Sequence, residues 1–336
     1  VVGGGIAAEV YSRRREIDMT LTLATGVATA VALSGVLAGV SYNPGWRDTW
    51  RTTGALSEIM QTPGQIEQLS QMDISAGHKQ LEAITALQDV IAGSPEAGEA
   101  EKPALKILLI SDMHLRNTYP QLKEFIENNG IDLIVNTGDE TELGSGLDLT
   151  VAPSYIESMQ EITENTPMIW IKGNHDSLAV SEQMSHIDGV YVLDQQKMKA
   201  YGLDIVGLGD PRDYTDGGDT YSSYVIRLEE DYANKKLGSL NPYSHVDVFA
   251  THHPAAAAVA RDVLSESGLT ATVSGHMHNQ SFVYNSEEHS LDISVGSTGL
   301  GGLKNIGEKN AKQKMEFSVL AFAGDCRPLT LTQYSL

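Results

Sequence analysis

The stretch Met168-Ile169-Trp170-Ile171-Lys172-Gly173-Asn174-His175-Asp176 decides how this chain is read. Its first four residues are apolar and read as a buried strand. Gly173 then permits a sharp turn. An amide, an imidazole and a carboxylate follow at once. Alone, such a tip is as well read as a polar turn between a strand and a helix. Four further apolar runs in the chain end in the same way. Residues 107–110 lead into Ser111-Asp112-Met113-His114, and 131–136 into Thr137-Gly138-Asp139. Residues 246–250 lead into Thr251-His252-His253-Pro254, and 270–273 into Ser274-Gly275-His276-Met277-His278.

Between these tips the periodicity changes to that of helices. Residues 119–129 carry Leu122, Phe125 and Ile126 on one face with Gly130 as a stop, and 154–165 carry Ile156, Met159 and Ile162. Strands 107–110, 131–136 and 168–171 therefore alternate with helices, the pattern of an α/β sheet with parallel strands. Beyond residue 190, short strands dominate (190–193, 204–208, 246–250, 270–273, 281–284, 291–295, 317–322), with one helix at 255–265. They predict a second, β-rich sheet facing the first. No repeat of fixed period is present.

Ligands of open α/β sheets bind beyond the carboxyl ends of strands. Five such ends meeting in one crevice offer carboxylates, an amide and several imidazoles: Asp112, His114, Asp139, Asn174, His175, His252, His276 and His278. The single cysteine, Cys326, excludes a thiolate metal site and an internal disulfide. Oxygen and nitrogen donors suit Mn, Fe, Zn or a similar divalent ion. Asp112 and His114 are two apart, as are His276 and His278, so each pair faces one way if the backbone there is extended. Any one pair is equally an exposed turn; it is the set of five that carries weight.

In this order, D-x-H, G-D, G-N-H-D, H and G-H-x-H, the set resembles the calcineurin-like metallophosphoesterase superfamily. The motifs run from Asp112 to His278, and the resemblance spans about residues 104–336. It implies a two-sheet β-sandwich flanked by helices and a centre of two divalent metal ions. By that resemblance Asp112, His114 and His278 bind one metal; Asn174, His252 and His276 bind the other; and Asp139 bridges them. His175 is implied to face the scissile phosphate, with Asp176 orienting it. The implied activity is hydrolysis of a small phosphomonoester or phosphodiester, with metal-bound hydroxide attacking in line. The alternative is a membrane-tethered metal-binding sensor of the same fold without turnover. The family often has another acidic or polar residue shortly after G-D; here Glu142 stands near that place and reads as a solvated loop glutamate. His252 is preferred to His253 as the first histidine after its strand.

Weaker candidates remain. Arg212, in Gly209-Asp210-Pro211-Arg212, follows a strand and offers a phosphate clamp or an ordinary turn. The loop 296–302 is glycine-rich but lacks the lysine of a phosphate loop, and reads as a flexible rim. His78, His186, His245 and His289 read as solvated or structural.

The formal charge of −21 repels nucleic-acid backbones, so no nucleic-acid partner is expected. Residues 19–46 contain no charged residue until Arg47, and 21–40 are nearly all Leu, Val, Ala, Gly and Thr. That length predicts a transmembrane helix over about 20–41. Arg13-Arg14-Arg15 before it favours a cytoplasmic N-terminal side, placing the large domain outside the cytoplasm at the cell membrane. Residues 42–103 carry apolar residues at helical spacing and a turn-rich stretch, and read as a helical connector. The domains expected are thus 1–41, 42–103 and a phosphoesterase domain at 104–336.

Overall fold

The computed structural model describes residues 102–144, 146–150, 152–213, 222–239, 245–302 and 314–336. The expected span at 20–41 and nearly all of the connector lie outside these residues. No helix among the described residues is long and apolar enough to cross a membrane.

In chain order the elements are β1 (Leu105–Ile110), α1 (Tyr119–Asn129), β2 (Leu133–Asn136), α2 (Gly146–Thr150), α3 (Pro153–Thr163), β3 (Met168–Trp170), α4 (Leu178–Met184) and β4 (Val190–Val192). Then come β5 (Gln196–Ala200), β6 (Leu203–Leu208), α5 (Ser223–Leu237), β7 (Val248–Thr251), α6 (Pro254–Leu264) and β8 (Ala271–Ser274). The last four are β9 (Ser281–Asn285), β10 (Ser290–Ser294), β11 (Glu316–Phe322) and β12 (Pro328–Ser335).

They form two six-stranded sheets, in the orders β12-β11-β1-β2-β3-β4 and β5-β6-β7-β8-β10-β9. β1 to β4 run parallel, as do β6, β7, β8 and β10; β5, β9, β11 and β12 pair antiparallel. Alternation along each strand decides the layering. Leu105, Ile107 and Leu109 of β1 share one buried cluster with Ile205 of β6, Val248 of β7, Val273 of β8 and Phe322 of β11. This cluster is the core between the sheets. The alternate residues Leu108 and Ile110 face a second cluster with Phe125 of α1 and Met159 of α3. On the far side Val206 and Phe249 pack with Ala233 of α5 and Ala260 of α6. The result is a helix–sheet–sheet–helix sandwich, and the carboxyl ends of the central parallel strands in both sheets carry the polar tips.

Besides adding the short α2 and α4 and the strands β5 and β12, the structure differs from the sequence expectation in two larger features. The strands at 190–193 and 317–322 were grouped with the second sheet, yet β4, β11 and β12 all join the first. Register explains β11: Leu320 lies opposite Ile107, and Phe317 on the other face stacks on Tyr334 with centroids 4.9 Å apart and meets Phe125 at 5.0 Å. Helix α5 was not expected. Its buried stripe is Val225, Glu229, Ala233 and Leu237, and the glutamate interrupts the apolar period by which helices are found. Ser222 caps it, its side chain accepting from Val225 N.

Phe317 is wholly buried between β11, α1 and β12. Phe317→Ala is expected to lower unfolding free energy by about 3–5 kcal/mol, whereas Tyr191→Ala on the exposed side of β4 should stay within about 0.5 kcal/mol. Paired urea melts measure both.

Candidate metal centre

The five tips do meet. The tip after β1 is laced to the tip after β2: Asp112 N donates to Gly138 O (2.9 Å), His114 N to Asp139 O (2.9 Å) and Leu115 N to Glu140 O (3.0 Å). The tip after β8 joins them, with His276 N on Asp112 Oδ2 (3.0 Å) and Gly275 N on His252 O (3.0 Å).

The motif glycines make this lacing possible, and Gly173 does so differently from the turn expected of it. It has no left-handed φ. Instead, a Cβ there would lie 2.3 Å from Asp139 N and Oδ1. A Cβ on Gly138 would lie 2.3 Å from Gly173 N, and one on Gly275 1.9 Å from Ser111 Oγ. Each glycine is a flat surface against which a neighbouring loop rests. The left-handed turns fall on the polar residues: Asp112 (φ 54°), His114 (φ 44°), Asp139 (φ 55°), His276 (φ 70°) and His278 (φ 49°). The pairs Asp112/His114 and His276/His278 therefore converge through left-handed turns, not through the extended backbone assumed from the sequence.

The polar atoms gather in two groups. His278 Nε2 lies 3.1 Å from Asp112 Oδ1 and 3.1 Å from His114 Nε2. His252 Nε2 lies 3.2 Å from Asp139 Oδ2, 3.0 Å from Asn174 Oδ1 and 3.2 Å from His276 Nδ1. Asp139 stands between them, since its Oδ2 is also 3.6 Å from His114 Nε2. Its Oδ1 is taken by His175 N (2.7 Å). Asp112, His114 and His278 thus form one metal-capable cluster; Asp139, His252 and His276 form a second; and His114, Asp139 and His175 overlap both.

The donor chemistry fits a divalent cation in each group. Imidazole nitrogens point at one another in two places, and lone pairs crowd together this way when a cation is to sit among them. Atoms bound to one ion at about 2.1 Å stand roughly 3.0–3.4 Å apart, the spacing seen here. Asp112 Oδ1 is wholly buried and faces the imidazoles of His278 (3.1 Å) and His114 (3.9 Å). His252 Nδ1 points at Thr137 O (2.8 Å); a carbonyl only accepts, so Nδ1 keeps the proton and Nε2 offers a lone pair.

Electrostatics agree. Burial pushes the Asp139 carboxyl up, but His252, His175 and His114 together hold it well below the usual range. Burial likewise opposes the charge of Asp112, and the His278 charge and hydrogen bond hold it at about 2. Burial brings His114 and His276 down to about 3, leaving both neutral with lone pairs to give. His252 also loses by burial, but Asp139, Asp112 and Asp210 raise it to about 10, so this spot draws positive charge.

Four sequence assignments change. Asp176 does not hold the His175 ring. Its carboxylate accepts from Asp139 N (2.8 Å), Gly173 N (2.9 Å) and Thr141 N (3.0 Å), tying the second tip to the third. The His175 ring is held by Glu142, with Nδ1 2.8 Å from its carbonyl oxygen. Glu142 is accordingly no solvated glutamate; it is mostly buried, with Oε2 3.6 Å from His114 Nδ1. Arg212 does not present its fork to the crevice. Nε and Nη2 meet Asp210 at 2.9 and 2.6 Å, and Nε lies 3.0 Å from Glu229 Oε1. Carboxylates thus engage two of its three guanidinium nitrogens. The loop 296–302 is a clamp, not a flexible rim: Ser297 Oγ donates to Asp112 O (2.9 Å), Thr298 N donates to Ser111 O (2.8 Å), and Gly299 rests on Met113. His253 leaves the centre to cap α6, its Nδ1 accepting from Ala255 N (3.1 Å).

One residue escaped notice in the sequence. Glu140, wholly buried, accepts from Tyr119 Oη (2.6 Å), Tyr155 Oη and Asn136 Nδ2 (2.7 Å). Beside Asp139 it reads as an ordinary loop acid, and its tyrosine partners are 15 and 21 residues away.

A family model for calcineurin-like phosphoesterases matches residues 105–280. That is just over half of the chain, and the chain belongs to this family of phosphoester hydrolases. A search of curated protein sequences returns no match. Solved structures that it resembles include an archaeal phosphodiesterase, 14% identical over 69% of this chain and 100% of that one, with a TM-score of 0.38. A dimetal phosphatase from Danio rerio is 11% identical over 70% and 99%, with a TM-score of 0.43. GAP50, the anchor in the inner membrane complex of Plasmodium, is 12% identical over 70% and 85%, with a TM-score of 0.40.

Burial raises the Glu140 carboxyl to about 7, against the pull of the two tyrosines. A carboxyl raised in the folded state binds its proton there and not in the unfolded chain. Wild-type stability is therefore lost as pH rises through 7. Glu140→Gln removes that slope, and its stability relative to wild type should climb by roughly 2–3 kcal/mol between pH 5 and 8. Urea melts at four pH values test it; parallel curves would show that Glu140 is ionised throughout.

Proposed function

We propose that the protein is a dinuclear, metal-dependent phosphoester hydrolase acting on a small phosphomonoester or phosphodiester. The observation that carries this reading is Asp139 Oδ2, which faces His114 Nε2 at 3.6 Å and His252 Nε2 at 3.2 Å. One carboxylate oxygen is thereby offered to both donor groups. Asp112, His114 and His278 would hold one cation, and Asn174, His252 and His276 the other. Bound there, two cations would supply Lewis acidity to the phosphoryl oxygens and acidify the attacking water.

His175 has a different task. With Nδ1 committed to the Glu142 carbonyl, Nε2 is its working atom, and the ring is partly exposed, unlike the buried donors beside it. Carrying a proton, Nε2 would donate to a phosphoryl oxygen or to the leaving oxygen. Asp176 acts at one remove, since the amides it accepts from set the backbone of Asp139 and Gly173. The chain's acidity disfavours a nucleic-acid substrate. The uncharged run 19–46 and the arginines before it support a membrane anchor with the catalytic domain outside the cytoplasm.

The test uses the full chain in detergent, loaded with Mn, and nitrophenyl phosphomonoester and phosphodiester as substrates. Turnover should vanish with chelator. His175→Ala should keep two metals per chain while kcat falls by about 100-fold or more. Asp139→Ala should lose both metal and turnover. Metal lost from the His175 variant would remove the proposed division of roles. Two bound metals with no turnover of either ester would favour the binding-module alternative.

A further inference from the structure

Among the described residues, four strands lie at the edges of the two sheets: β12, β4, β5 and β9. An edge strand leaves a row of backbone N–H and C=O groups unpaired, and proteins usually blunt such edges with charge, proline or shortness. Three of the four are blunted. β4 has three residues. β5 carries Lys197 and Lys199. β12 starts at Pro328, and its exposed positions are Thr330, Thr332 and Ser335. Among the described residues β9 has no such protection. Its sequence is Ser281-Phe282-Val283-Tyr284-Asn285, without a charge, and Phe282, Val283 and Tyr284 are 55%, 63% and 53% exposed. A groove of about 210 Å³ runs beside it, lined by Ala257, Arg261, Phe282, Val283 and Ile293 among others.

We propose that β9 is a self-association edge, at which two copies of this chain pair antiparallel about Val283. The strand is complementary to itself around that residue. Directly opposed residues of an antiparallel pair share a face. In this register Val283 meets the partner's Val283, Phe282 meets the partner's Tyr284, and Ser281 meets the partner's Asn285. Apolar residues thus cover apolar residues and polar ends cover polar ends. The nearest acids along the chain, Glu287 and Glu288, lie in the turn beyond Asn285, outside the paired segment. The pairing satisfies the outer backbone groups of both strands and joins two six-stranded sheets into one. A heterologous peptide would also satisfy the backbone, but nothing on the strand selects its side chains. The quasi-palindrome selects a second copy.

The full chain in detergent should show a concentration-dependent monomer–dimer equilibrium by sedimentation velocity. Val283→Lys should weaken it by about tenfold or more, because two like charges would meet on the axis, with its thermal midpoint kept. Cysteine placement tests the register without relying on that variant. Opposed Cα atoms lie about 4.5–5.5 Å apart, within disulfide range, so Val283→Cys should form a reducible dimer on mild oxidation. Ser281→Cys should not, since its own copy would be about 13 Å away. A wild-type chain that stays monomeric up to about 100 μM would overturn the proposal, because an edge interface of this size is useful only at or below that range. So would a dimer in which Ser281→Cys cross-links as readily as Val283→Cys. Slow exchange of the β9 amides in a monomer would also overturn it, by showing that another segment of the same chain covers the edge.

Discussion

Two buried carboxylates, Asp112 and Asp139, both approach His114 Nε2, at 3.9 and 3.6 Å, and the strand tips are arranged around keeping them charged there. Withdrawing each from water costs several kcal/mol. Part of that cost is met by backbone amides, His276 N on Asp112 Oδ2 and His175 N on Asp139 Oδ1. Those two bonds leave Asp112 Oδ1 and Asp139 Oδ2 turned toward imidazoles. The remaining stabilisation comes from positive charge, and the site attracts it, as the high proton affinity of His252 shows. A carboxylate pair that half the surroundings satisfy and half leave hungry for a cation is what a metal centre requires of a protein.

The same requirement explains the backbone. A left-handed non-glycine residue costs on the order of 1 kcal/mol or more, and the centre contains five at donor positions plus Leu115 at φ 60°. Asp and His tolerate that region better than most residues, so the donors bear the strain themselves. Gly173 and Gly275 are thereby freed for close approach, while Gly138 combines close approach with a φ of 96°, and the three let neighbouring loops touch without side chains between them. Serine and threonine of the 296–302 loop then brace the Asp112 tip from the opposite side.

How much of this was legible in the sequence follows from how local each signal is. The helix at 119–129 appears at the predicted residues because its apolar face and stop are both local. The five tips were legible because each is an apolar run followed at once by donors, and all eight donors named from them do come together in space. Sheet membership was not legible. β11 reads like any strand of the second half, and only its pairing with β1, more than 200 residues earlier, puts it in the first sheet. The partners of Arg212 were hidden for a related reason: Glu229 sits at a core position of α5, where charge is not anticipated.

Asp176 and Asp139 show why adjacency in sequence misleads about role. Asp176 follows His175 directly, which makes it the natural candidate to orient that ring. Yet a side chain's task is set by what faces its oxygens. Those of Asp176 face the amides of Asp139, Gly173 and Thr141, and with burial and the neighbouring Asp139 charge its proton affinity is raised. Asp139 faces imidazoles and is driven the opposite way. Two carboxylates joined through one amide hydrogen bond are thus pushed toward opposite protonation preferences. Asp176 acts as a structural clasp, and Asp139 remains an anion for the donor groups around it. Orientation of His175 passes instead to a backbone carbonyl, that of Glu142, which no substitution of the Glu142 side chain removes. The catalytic ring is consequently held by the conformation of the 139–142 loop, the same loop that Asp176 fastens from below.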